Sequence, residues 1–143
     1  MLQLETTGLP NVFLEDGFEH RETGEGRALL VHDIPGLFAA IGEAVARKRD
    51  LSGAEVRFLR KRLELSQAEL ARCLQTSEQT VSLWERGKIR IPGSESLLLR
   101  VLYLERMRRE ASAWQLAGSG EAGKAERLVF RQTADGWRER AVA

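Results

Sequence analysis

Two neighbouring stretches decide how this chain folds: Leu65-Ser66-Gln67-Ala68-Glu69-Leu70-Ala71, and Thr76-Ser77-Glu78-Gln79-Thr80-Val81-Ser82-Leu83-Trp84-Glu85-Arg86-Gly87-Lys88. Ser66 and Glu69 stand at the spacing of a reciprocal cap. The hydroxyl accepts from the third helical N–H, and the carboxylate reaches back to the N–H of the cap residue. Leu70, Ala71 and Leu74 supply an apolar stripe, so a short helix is expected to end near Leu74. Gln75-Thr76-Ser77 reads as a turn. Ser77 then caps a second helix that turns Val81 and Trp84 inward and stops at Gly87. The pattern is helix, tight turn, helix, and Ala71 is small enough to let the two helices cross closely.

The flanking segments extend the same pattern. Ser52 and Glu55 repeat the reciprocal cap, and Val56, Leu59 and Leu63 share one face of the helix that follows. Beyond Ile89, Pro92 forbids continuation of the second helix. Ser94 is expected to cap a long helix running to about Trp114, with Leu97, Leu98, Val101, Leu102 and Leu104 closing the bundle. Upstream, Asp33 can cap a helix with Pro35 in its first turn, and Leu37, Phe38, Ile41, Ala44 and Val45 recur at helical spacing up to Lys48.

The two ends have a different texture. Val12, Phe13, Leu14 and Phe18, then Ala28, Leu29, Leu30 and Val31, occur in short runs broken by Asp16-Gly17 and Gly24-Glu25-Gly26. This punctuation reads as a small antiparallel sheet. Near the other end Gly118-Ser119-Gly120 and Ala122-Gly123 read as a linker. Leu128, Val129 and Phe130 facing Trp137 across Ala134-Asp135-Gly136 suggest a terminal hairpin. An isolated hairpin is marginal in water, so this one is expected to pack on the N-terminal sheet or on a partner subunit. The expected division is a β-rich arm over 1–34, a connecting helix over 35–50, a helix-turn-helix domain over 51–108, and a helix end, linker and hairpin over 109–143.

Composition narrows the function. The chain has 143 residues, 43% hydrophobic and 30% charged, which is the range of a globular protein. Its net charge of +1 hides an uneven division. Residues 1–34 hold seven acidic and two basic side chains, a net of −5, whereas residues 51–110 hold twelve basic and eight acidic, a net of +4. A basic segment beside an acidic one is the arrangement expected if only the first approaches phosphate. No apolar run reaches the ~20 residues of a membrane span, and the start lacks a signal-like segment, so a cytoplasmic protein with no membrane partner is expected. Cys73 is the only cysteine and is expected to be a buried, inert thiol.

The helix-turn-helix stretch resembles the repressors of the Cro and lambda-repressor type, the XRE family, over roughly Val56 to Leu104. The resemblance implies a mostly α fold with small β additions: a lambda-repressor-like bundle preceded by the small sheet and followed by the hairpin. It also implies sequence-specific binding to double-stranded DNA, with the first turn of the second helix in the major groove. Gln79 and Thr80 stand at that turn. Gln can pair bidentately with adenine and Thr can touch a thymine methyl, and Ser82 and Leu83 follow one turn later as further base-reading candidates. Gln67 occupies the position where the family commonly contacts phosphate. Ser77, Arg86 and Lys88 flank the reading helix, and Lys61 and Arg62 extend the basic rim, so all six are candidate backbone contacts. Glu85 is expected to form an ion pair inside the domain.

A second resemblance lies outside the core motif. Gly8-Leu9-Pro10-Asn11-Val12, Gly36-Leu37 and Leu51-Ser52-Gly53-Ala54-Glu55-Val56-Arg57-Phe58-Leu59-Arg60 look like the MqsA (YgiT-type) antitoxin-related regulators, over about residues 7–107. This implies a homodimer on a palindromic operator, an autorepressor of antitoxin-like type, and a toxin protein as a possible partner. The antitoxin that names the group carries an N-terminal CxxC zinc site, and this chain has no such ligands. Gln79 aligns with its base-reading Asn, and Leu83 with its base-reading Arg.

No catalytic set, cofactor motif or metal site is expected. The two histidines, His20 and His32, lie on expected strands, and with Asp33 they could in principle bind a metal, but exposed strand histidines are the simpler reading. A Gly-rich phosphate loop is absent. The competing reading is a protein-binding adaptor or toxin-neutralising antitoxin, with the acidic N-terminal sheet or the terminal hairpin as its contact surface.

Overall fold

A computed structural model describes residues 1–107 and 127–141. The elements are β1 (Leu2–Gln3), a short 3-10 turn (Glu5–Thr7), β2 (Val12–Leu14), β3 (Phe18–Thr23), β4 (Gly26–Val31), α1 (Ile34–Ala46), α2 (Gly53–Arg62), α3 (Gln67–Cys73), α4 (Glu78–Glu85), α5 (Gly93–Arg106), β5 (Leu128–Thr133) and β6 (Gly136–Arg140). They fall into two compact units, one formed by Met1–Ile41 with the C-terminal strands and one by the helices from Gly42 onward. The expected continuation of the last helix to Trp114 and the Gly-rich linker lie outside the described residues. Among the described residues no helix is long and apolar enough to cross a membrane.

In the first unit the two ends of the chain share a sheet with strand order β1-β2-β5-β6. The terminal hairpin therefore packs on the N-terminal strands, one of the two placements open to it from sequence. β2 runs parallel to β5, with Val12, Phe13 and Leu14 opposite Leu128, Val129 and Phe130. All but Phe13 of these six are buried. The β5–β6 turn is the two-residue Ala134-Asp135, closed by Gly136 at φ 109°. Trp137 is buried and donates its indole N–H to the His32 carbonyl at 3.1 Å. Gly17 lies beneath this indole, where an added Cβ would overlap the Trp137 ring. The remaining strands, β3 and β4, form a separate antiparallel ribbon from Phe18↔Val31 to Thr23↔Gly26.

The helical unit is built from local signals. At the end of the first unit Asp33 caps α1 as expected, its carboxylate accepting the Gly36 N–H at 3.1 Å, and the helical unit continues in the same manner. The reciprocal caps at Ser52/Glu55 and Ser66/Glu69 are both formed, and the Ser77 hydroxyl accepts the Thr80 N–H at 3.1 Å. The helix ends explain why the turns are so short. Glu64, Gln75 and Gly87, each just past the end of its helix, take positive φ of 58°, 55° and 71°. In each case the next N–H returns to a carbonyl of the last turn: Leu65 to Arg60, Thr76 to Ala71, and Lys88 to Leu83, at 3.2, 2.9 and 2.9 Å. This is the Schellman closure. At the first two ends the following residue, Ser66 or Ser77, already caps the next helix, so termination and initiation are fused.

The core of this unit contains Val56, Leu59, Leu63, Leu70, Ala71, Leu74, Val81 and Trp84, as the periodicity predicts. Three expectations are corrected. α5 starts at Gly93 after Pro92, with no side-chain cap, and Ser94 lies inside its first turn bonded to Glu95. The ring of Pro92, fixed at φ −63°, sets the entry instead. The buried face of α5 is Ser96, Leu99, Arg100, Tyr103 and Leu104, while Leu98 is 40% exposed and Leu97, Val101 and Leu102 are half-buried. Hydropathy alone pointed to the leucine-rich face. The buried one carries polar groups with stems or rings that pack: Arg100 donates to the Ser96 carbonyl, and Tyr103 lies so close to α1 that a Cβ on Gly42 would overlap its hydroxyl. Burial holds the Arg100 guanidinium below its usual pKa, with Asp50 pulling the other way. Finally, Cys73 is exposed rather than buried, because the apolar face of α3 falls on Leu70, Ala71 and Leu74.

Candidate nucleic-acid interface

The start of α3 and the exposed side of α4 frame one open hollow, lined by Gln67, Glu78, Gln79, Ser82, Leu83 and Arg86. On α4 the lining residues 78, 79, 82, 83 and 86 follow helical spacing, whereas Val81 and Trp84 point into the core. The same periodicity that anchors the helix thus turns this face outward. Five of the ten residues expected to meet DNA come together here: Gln67, Gln79, Ser82, Leu83 and Arg86.

An ion-pair network reaches the hollow through one of its lining residues, Gln67. Arg60 of α2 grips Glu85 with two bonds, Nε to Oε2 at 2.7 Å and Nη2 to Oε1 at 2.8 Å. Its Nη1 also donates to the Leu65 carbonyl at 2.9 Å. Both side chains are largely buried, at 12% and 5% exposure, so this pair is screened far less than a surface one. Glu85 accordingly forms the internal ion pair expected of it. Gln67 donates its amide to the same carboxylate at 3.3 Å, which fixes the amide at the edge of the hollow. One network therefore joins α2, the start of α3 and the end of α4.

The other expected residues lie around this surface. Ser77 and Thr80 share a hydroxyl–hydroxyl hydrogen bond of 2.7 Å at the start of α4, with Thr80 half-buried. Arg86 Nε is turned back onto the Ser82 hydroxyl at 3.2 Å, which orients its guanidinium along the helix. Lys88 follows Gly87 and is exposed, as is Arg90. Lys61 is exposed and Arg62 half-buried in the last turn of α2; neither lines the hollow. Sequence reasoning missed two residues. Arg60 carries no local sign of its partner, which lies twenty-five positions away. Glu78 lines the hollow although it is not among the residues the sequence points to, since a carboxylate is repelled by phosphate. Its place one residue before Gln79, on the same outward turn, was the available signal.

Residues 56–99 match a helix-turn-helix family model, from within α2 through α3 and α4 to the first half of α5. No curated protein and no solved structure gives a match. The fold of the helical unit, the outward face of α4 and this match together support a helix-turn-helix of XRE type, and with it a DNA-binding transcription regulator.

Among the described residues no group of three His, Cys, Asp or Glu side chains could hold a metal ion. His20 meets Phe18 edge-on at 6.1 Å, and His32 Nδ1 lies 3.2 Å from the Gln132 amide oxygen.

Proposed function

We infer that this protein is a sequence-specific regulator that binds double-stranded DNA as a homodimer and represses transcription from the operator it occupies. The observation that carries this reading is the convergence of Gln67, Gln79, Ser82, Leu83 and Arg86 on one open face of α4, anchored from behind by Val81 and Trp84. In this reading Gln79 and Thr80 meet base edges in the major groove, with Ser82 and Leu83 one turn further along. Gln67, Ser77, Arg86, Lys88, Lys61 and Arg62 meet phosphates and set the register of the helix. The homodimer follows from the small footprint of a single reading helix, which needs a second half-site about one DNA turn away. The antitoxin-like, self-repressing type, with a toxin as a possible further partner, rests on the sequence resemblance over residues 7–107. A dimer seated on a promoter excludes polymerase by occupancy alone. The expected domain division, with residues 51–108 as the DNA-binding domain, belongs to the same proposal.

The test compares specific and random duplexes over a range of salt, after an operator has been selected from a random pool. Wild-type affinity falls steeply as salt rises, because each neutralised phosphate releases counterions. Gln79→Ala weakens operator binding by about 1–3 kcal/mol and spares random duplex, whereas Lys88→Ala weakens both alike and shallows the salt slope by about one unit. Equal loss of both modes in Gln79→Ala removes the base-reading role from that residue. Failure of the wild-type protein to enrich any sequence removes the regulator reading.

A further inference from the structure

The face of α4 contains a group that a surface built only for phosphate would lack. Glu78 lines the hollow together with Gln79, Ser82 and Leu83, and it is exposed. Among the described residues its carboxylate has no hydrogen bond or ion pair. By contrast, three other carboxylates of this unit are committed: Glu85 to Arg60 and Gln67, Glu69 to its own cap, and Glu55 to Lys48 and the Ser52 N–H. The only other charged side chain lining the hollow is Arg86, whose Nε is turned onto Ser82 rather than onto Glu78.

A free carboxylate on a surface that approaches a polyanion is repelled by phosphate wherever it lies. It is an acceptor with no proton to give, so guanine and thymine edges, which offer acceptors in the major groove, repel it too. The amino donors of the groove are the only base-edge groups that can satisfy it. Of these, cytosine presents its N4 amino group alone, whereas adenine sets an acceptor, N7, beside its N6 amino group. Gln79 on the same turn supplies the amide that suits adenine, with a donor and an acceptor together.

We propose that Glu78 is a specificity-determining residue that accepts a hydrogen bond from a cytosine amino group at a position next to the base read by Gln79, and disfavours every other base there. This rests on the DNA-reading function proposed above. Its signature is a trade: Glu78 lowers affinity for DNA in general and restores it only at cytosine. Charge removal therefore raises non-specific affinity while relaxing one position of each half-site, which neither a phosphate contact nor a helix-stabilising acid would do.

The experiment is parallel selection from a random duplex pool with the full-length wild type, Glu78→Gln and Glu78→Ala, followed by titration of the recovered sites with each base at each position. Thermal melts confirm that the variants are folded. The wild type is expected to prefer cytosine roughly ten-fold at one position of each half-site. Glu78→Ala flattens that position and binds random duplex more tightly, and Glu78→Gln moves the preference there toward adenine. If the wild type enriches an operator but both variants keep its base preference at every position, Glu78 is no reader and the proposal falls while the regulator stands. If the wild type enriches nothing, the DNA-reading function falls and the proposal with it.

Discussion

The two units of this protein are encoded in opposite ways. From α2 to the start of α5, almost every boundary is written within a few residues of itself: Ser52 with Glu55, Ser66 with Glu69, Ser77 with the Thr80 N–H, and Gly87 after α4. The terminal unit has no such local code for its central feature. β2 and β5 are more than a hundred residues apart in sequence, yet they pair in parallel, and Trp137 closes over Gly17 with its indole N–H on the His32 carbonyl. The lesson is one of entropy. Local caps restrict a few dihedrals for each hydrogen bond gained, whereas joining the chain ends restricts the whole intervening segment before any contact forms.

Trp137→Ala is the substitution expected to break this comparison most forcefully. It removes a buried aromatic side chain and leaves the His32 carbonyl without its donor, a loss of about 3–5 kcal/mol for such a truncation. Read by hydrogen exchange, the amides of β2 and β5 should lose at least two orders of magnitude in protection. Unchanged protection there would mean that the strand register, not the indole, holds the two ends together.

The contrast also explains what could be read in advance. The caps were legible because each is defined by residue types three positions apart. The parallel register of β2 on β5 was not, since no local pattern states which distant strand Val12–Leu14 will choose. On α5 the apolar count favoured Leu97, Leu98, Val101 and Leu102, but the buried face includes Ser96, Arg100 and Tyr103, whose polar atoms hydropathy scores against burial. In the hollow, Gln79, Ser82, Leu83 and Arg86 are legible from sequence because outward positions of α4 are fixed once Val81 and Trp84 are placed inward, and Gln67, at the start of α3, is legible through the family resemblance. Arg60 escaped, its role being set by a partner on another helix.

A smaller effect, of opposite sign, sharpens the local half of the comparison. Gln75 ends α3 in the left-handed region, at φ 55°, with its side chain exposed. A residue with a Cβ is strained there by about 1 kcal/mol, whereas glycine is not. Gln75→Gly is therefore expected to raise the urea midpoint slightly, with a net gain of at most about 0.5 kcal/mol after the extra freedom glycine gives the unfolded chain. The same change at Gly87 is already present by nature, which is why the third closure carries no such strain. A destabilised Gln75→Gly protein would show that the Gln75 side chain contributes more to the turn than the backbone strain removes.

The smallest expected effect concerns charge at a single cap. The Glu69 carboxylate accepts the Ser66 backbone N–H at 3.1 Å, and this bond, followed by the Ser66 side chain and then Arg72, holds its pKa below the ordinary value of 4.5. A group depressed on folding adds stability at pH above its unfolded value, and that stability is lost as pH falls through the lower folded value. The wild type should thus exceed Glu69→Gln in stability at pH 7, and the gap should narrow as pH drops below about 4.5, toward the two curves meeting in acid. Urea midpoints of both proteins across this range make the comparison. A gap of constant width would mean that the advantage of Glu69 over the amide does not come from its charge.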